Sequence, residues 1–111
     1  MKEIKAIIQP FQLSRVMDAL RSMEGLPGVT VSDVKGFGKN RARDAKDKIV
    51  EDFIEYARKT KLEIVVPDDL VDGVVKTIEA TAHTGRPGDG LIFISTVEEV
   101  VRIRSSNRET D

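Results

Sequence analysis

The chain has 111 residues, a net charge of -1, 33% charged residues and no cysteine. That length holds one domain with a modest core, and the missing cysteines exclude a disulfide scaffold, a thiol nucleophile and a Cys-ligated zinc. The near-neutral charge excludes a broad electrostatic footprint for nucleic acid, and no apolar run approaches the ~20 residues of a membrane-spanning helix.

Ile4, Ala6 and Ile8 alternate in Lys2 to Gln9, which predicts a strand buried mainly on one side and ended by Pro10. The strand begins almost at Met1, with no signal-peptide pattern before it, so a cytoplasmic protein is expected. From Leu13, Val16, Met17, Leu20 and Met23 recur at helical spacing, and Gly25 stops that helix. Gly28 to Phe37 is rich in Val and Thr and predicts a second strand; Lys61 to Val66 predicts a third. Asp68 or Asp69 would cap a second helix whose stripe is Leu70, Val71, Val74, Val75, Ile78 and Ala82. Leu91 to Val97 predicts a fourth strand, which Val100 to Ile103 extends or follows as a short extra one. The order strand-helix-strand-strand-helix-strand predicts an α+β, ferredoxin-like β-α-β-β-α-β sandwich with both helices on one sheet face. Alternating apolar residues remain that two helices cannot cover.

Two segments carry information beyond the fold. Thr84 to Gly90 packs three glycines and a proline into seven residues between a helix and a strand. Such a turn frees backbone N–H groups from side-chain shielding, which suits an anion such as phosphate; the plainer reading is a helix-to-strand turn. The other segment, Gly38 to Thr60, joins two strands that should pair as a hairpin, where loops of about 2–5 residues are usual. Its first half carries Lys39, Arg41, Arg43, Lys46 and Lys48 against Asp44 and Asp47. Its second half places Ile49, Val50, Phe53, Ile54 and Ala57 at helical spacing, as a helix or as extended arms. Lys39 to Arg58 is expected to be mobile until a partner orders it, with Arg41, Arg43, Ile49, Phe53 and Ile54 as contact residues.

These segments together resemble the PII family of nitrogen-regulatory signal proteins. The likeness lies in Met1-Lys2-Glu3-Ile4-Lys5-Ala6-Ile7-Ile8-Gln9-Pro10-Phe11, in Gly28 to Val31, and in Val34-Lys35-Gly36-Phe37-Gly38. It continues in Lys61 to Val66 and in Thr84-Gly85-Arg86-Pro87-Gly88-Asp89-Gly90. The resemblance runs nearly end to end and implies a single domain with a T-loop at about 38–60, a B-loop at 84–91 and a C-terminal segment at about 98–111. It implies a homotrimer that binds ATP or ADP in clefts between subunits and engages a target, an enzyme or a membrane transporter, through the T-loop. By position, Gly36, Phe37, Gly38, Lys39, Gly88, Asp89 and Gly90 would lie along the nucleotide, with Ile7 and Val65 flanking the adenine and Arg86 either a further phosphate contact or a solvated loop charge. The adjoining subunit would supply Gly28, Thr30, Glu63, Val65, Arg102 and Arg104. Arginines offer phosphate forked hydrogen bonds, and Arg102 and Arg104, two apart, would project to one side if both lie on a strand. The resemblance also implies 2-oxoglutarate and Mg, for which Asn40 and Lys59 are the candidates.

Three positions depart from the family pattern. Leu91 stands where the family has Lys after Gly-Asp-Gly, so a weak preference for ATP over ADP or AMP is expected. Asn40 stands where the family has Gln, which bears on 2-oxoglutarate and the metal. Asp52 aligns with the tyrosine that some members modify, and no Ser or Tyr occurs from Lys39 through Glu55, so signalling by ligands alone is expected. An enzyme is not expected: His83 is the only histidine, and no P-loop motif is present. Besides a nitrogen regulator, two alternatives are a diverged relative controlling a metal-efflux or bicarbonate transporter and a metal-binding trimer of the divalent-cation-tolerance type.

Overall fold

The computed structural model describes residues 1–36 and 57–109. Strand β1 (Lys2–Ile8) leads through a 3-10 turn (Pro10–Gln12) into helix α1 (Leu13–Arg21). Strands β2 (Thr30–Gly36) and β3 (Ala57–Val66) follow. A second 3-10 turn (Asp68–Leu70), helix α2 (Val71–Ala82) and strand β4 (Gly90–Thr96) complete the unit, and β5 (Val100–Val101) with β6 (Arg108–Glu109) ends the described chain. The four longer strands form one antiparallel sheet in the order β2-β3-β1-β4, the α+β arrangement expected from the alternation of periodicities.

Period-two alternation divides the sheet into two faces. Ile4, Ala6 and Ile8 of β1 and Leu62, Ile64 and Val66 of β3 face the helices and meet Val16 and Leu20 of α1 and Val74, Ile78 and Ala82 of α2. All eleven are buried. The opposite face carries Ile7, Val65, Leu91 and Phe93 among charged neighbours, and Leu91 and Phe93 are 63% and 51% exposed. Both helices lie on the first face, so nothing in the described chain covers this second one.

Four sequence expectations need correction. Strand β3 begins at Ala57, not Lys61, because Gly36↔Ala57, Lys35↔Arg58, Val34↔Lys59 and Asp33↔Thr60 continue the ladder with β2. Ala57 to Thr60 therefore belongs to the sheet and not to the long loop, and Ala57 and Arg58 are paired strand residues. Charge in Arg58 and Lys59 masked this extension: Lys59 shares the uncovered face with Lys61, whereas Arg58 points to the helix side but lies exposed at the end of the strand. Second, neither Asp68 nor Asp69 caps α2 with its side chain; the N-cap is Leu70, and the Asp68 carboxylate pairs with the N-terminal amine of Met1 at 3.1 Å. Third, β2 starts at Thr30, leaving Gly28 in the approach to it. Fourth, of the two readings for Val100 to Ile103 the short extra strand holds but covers only Val100 and Val101, which pair with Glu109 and Arg108 in a separate hairpin.

Candidate functional site

The glycine turn joins α2 to β4 and folds around its own carboxylate. The backbone N–H groups of Thr84 and Gly85 donate to Asp89 Oδ2 at 2.8 and 3.0 Å, and the Thr84 hydroxyl donates to Asp89 Oδ1. The Arg86 N–H donates to Thr84 Oγ1 at 3.1 Å. Three amides that the sequence reading left open for an anion are thus already paired within the loop. Sequence supplies the reason in retrospect: Thr84 and Asp89 bracket Gly-Arg-Pro-Gly, and short polar side chains close turns onto nearby backbone. The Asp89 carboxylate thus braces the loop from within.

The hydroxyl of Thr84, then its N–H, and the Gly85 N–H and nearby His83 hold the Asp89 carboxyl below its ordinary pKa. A depressed pKa contributes stability that is present above the unfolded value and lost as pH falls through the folded one. Loop order is therefore expected to be constant at neutral pH and lost only below about pH 4. The Thr84 and Gly85 amide chemical shifts, followed by NMR, should move together in that range, and Asp89→Asn should abolish the step.

Two backbone conformations fix where the loop sits. Gly88 has φ +92°, and a Cβ there would meet Gln9 Nε2 at 2.8 Å and Lys59 Nζ at 3.2 Å. Gly90 has φ +108°, and a Cβ there would overlap the carbonyl oxygen of Ile7. Lys59 Nζ donates to the Gly88 carbonyl at 2.6 Å. The loop therefore packs onto the sheet end where β1, β3 and β4 meet. Beside it, on the helix side, a cavity of about 460 Å³ is lined by Ile78, Glu79, Ala82, His83, Asp89 and Ile92 among others.

Of the residues singled out in the sequence, Ile7, Lys59, Gly88, Asp89 and Gly90 come together at this corner, with Gly36 on the adjoining end of β2. Thr30 pairs with Glu63, four residues along β3 from Lys59 and so about 13 Å away. Val65 lies further still along that strand, and Gly28 precedes β2. Arg86 is exposed on the loop and makes no ion pair among the described residues. Arg102 and Arg104 do not share a strand: Arg102 follows β5 and its Nε donates to Glu109 Oε1 at 3.1 Å, while Arg104 sits in the hairpin turn. The aligned projection expected for the two arginines fails because the chain reverses at residues 103–105. Phe37, Gly38, Lys39, Asn40, Arg41, Arg43, Ile49, Phe53 and Ile54 lie outside the described residues. Sequence reasoning passed over Thr84 and Gln9; the first was legible as the partner of Asp89, the second only from the folded contact with Gly88.

Fold and loop define a class: a ferredoxin-like sandwich with one sheet face that no described element covers and a braced glycine loop at a sheet corner. The family model for nitrogen regulatory protein P-II matches residues 1–107, and the chain belongs to that family of nitrogen regulators. It is 43% identical over 111 residues to nitrogen regulatory protein P-II of Azospirillum brasilense, covering all of this chain and 98% of the relative. To the protein of the same name in Nostoc punctiforme it is 47% identical with the same coverage. Nitrogen regulatory protein P-II 1 of Escherichia coli is 46% identical over 109 residues, 98% of this chain and 96% of that one. Among solved structures, Arabidopsis thaliana PII bound to citrate superposes with a TM-score of 0.77 at 38% identity, over 97% of this chain and 87% of that one. Among the described residues, no helix is long and apolar enough to cross a membrane.

Proposed function

We propose that the protein is a non-enzymatic, cytoplasmic regulator that senses adenine nucleotides in clefts between the subunits of a homotrimer. One observation carries this reading. The braced loop, Ile7, Lys59 and Gly36 gather at one sheet corner, while Thr30, Glu63 and the Arg102–Arg104 hairpin lie elsewhere in the same chain. A second copy would bring the separated group to the corner, and the uncovered apolar residues Leu91 and Phe93 favour such an assembly. Backbone N–H groups of Gly88 and its neighbours would meet phosphate, and Arg102 and Arg104 of the adjoining subunit would supply forked donors. Mg and 2-oxoglutarate would sit near Lys59 and Asn40.

The segment after Gly36, with Arg41, Arg43, Ile49, Phe53 and Ile54, would carry the signal to a target protein in nitrogen regulation. Asn40, Leu91 and Asp52 favour as second reading a diverged regulator of a metal-efflux or bicarbonate transporter. Membership of the P-II family weighs against the divalent-cation-tolerance type.

Calorimetry with ATP, ADP and AMP tests the reading, with light scattering for the assembly. ADP and AMP should bind within about tenfold of ATP, because a charge-assisted contact to the terminal phosphate is missing at Leu91. A variant lacking Arg41 to Ile54 should keep both the trimer and these affinities. A monomer at micromolar concentration, no nucleotide binding, or ATP held about a hundredfold tighter than ADP would overturn it.

A further inference from the structure

We infer that Lys59 is a positioning residue that straps the 84–90 loop to the sheet and thereby sets the loop's readiness for any nucleotide, whatever its phosphate count. The inference rests on the reading of that loop as a phosphate site.

Lys59 and Gly88 are 29 residues apart in sequence, yet Nζ donates to the Gly88 carbonyl at 2.6 Å. Lys59 stands on β3 opposite Val34, and two residues before it Ala57 pairs with Gly36. A single side chain thus joins the loop to the foot of the β2–β3 pair. The peptide bonds are trans, so holding the Gly88 carbonyl also sets the plane that it shares with the Asp89 N–H and directs that N–H to the opposite side. The Asp89 carboxylate braces the loop's first half from within, through Thr84 and Gly85. Lys59 supplies the outer anchor for its second half. Gly88 is where the two restraints meet: its φ is +92°, and the ends of the Gln9 and Lys59 side chains close over its α-carbon.

A strap and a direct phosphate ligand predict different things. An ammonium that touches the terminal phosphate gains more from ATP than from AMP, because the charge it faces grows. A strap acts before any nucleotide arrives, by reducing the ordering that each nucleotide must impose on the loop, and so affects all three equally.

The test is Lys59→Met in the full-length protein, read by calorimetry and by amide hydrogen exchange of Gly88, Asp89 and Gly90 without nucleotide. AMP, ADP and ATP affinities should fall by a common factor of about ten, and the three amides should exchange correspondingly faster. Lys59→Arg, which keeps a charged donor, should restore most of both. If Lys59→Met does not fold, Lys59→Gln removes the charge and shortens the reach, and the same two readouts apply. Loop exchange left unchanged, or an affinity loss that grows from AMP to ATP, would overturn the strap. Absence of nucleotide binding in the unmodified protein would instead overturn the proposed function, while the exchange measurement would still decide whether Lys59 orders the loop.

Discussion

Replacing Gly90 with alanine is expected to cost about 3–5 kcal/mol of stability and to lower the melting midpoint by roughly 15–25 °C. Two penalties combine. A φ of +108° is a conformation that a side chain strains, at about 1–3 kcal/mol. The new Cβ would also overlap the Ile7 carbonyl oxygen and lie 2.8 Å from its carbon. Both are backbone atoms of β1, so no rotamer change relieves the contact; the β1–β4 ladder, where Ile8 opposes Gly90 and Ile7 opposes Leu91, would have to shift. Gly36 is the internal control: nothing lies within 4 Å of its Cβ position and its φ lies outside the strained range, so Gly36→Ala should fall within about 1 kcal/mol of the parent. Urea unfolding at fixed protein concentration measures both. A loss below about 1 kcal/mol for Gly90→Ala would show that the strand pair yields where this packing says it cannot.

Leu91→Lys is expected to raise the preference for ATP over ADP by about tenfold or more. Leu91 follows the loop directly, stands on the uncovered sheet face and is 63% exposed, so the change costs little packing in one chain. It opposes Ile7 on β1, beside the corner where the loop and Lys59 meet. An ammonium there would add a charge-assisted contact to the terminal phosphate, a bond of about 1.5–3 kcal/mol. Competition calorimetry with ATP and ADP reads the ratio directly. An unchanged ratio, with binding otherwise intact, would mean that position 91 does not face the terminal phosphate.

The strands, the helices and their order were legible because burial on one face imposes a period, and a period survives in the sequence without its partners. Ile4, Ala6 and Ile8, or Val74, Ile78 and Ala82, announce a buried side whichever surface they meet. The glycine turn was legible for a similar reason: positive φ at Gly88 and Gly90 is a local demand that few other residues meet. What failed was whatever depends on a distant partner. The start of β3 at Ala57 is set by the ladder to β2, which overrides the charge of Arg58 and Lys59. The C-terminal hairpin separates Arg102 from Arg104 because Val100 and Val101 find Glu109 and Arg108 across a turn. Lys59 reaches Gly88 across the sheet end, whereas the hold of Asp89 on the Thr84 and Gly85 amides spans only five and four residues and was open to a closer reading of the turn. The sequence by itself determined the element types, the buried faces and the tight turn, since each follows from the conformational limits of a short stretch. Only the tertiary structure decided which side chain holds that turn to the sheet, because a hydrogen bond across 29 residues depends on geometry that no local pattern records.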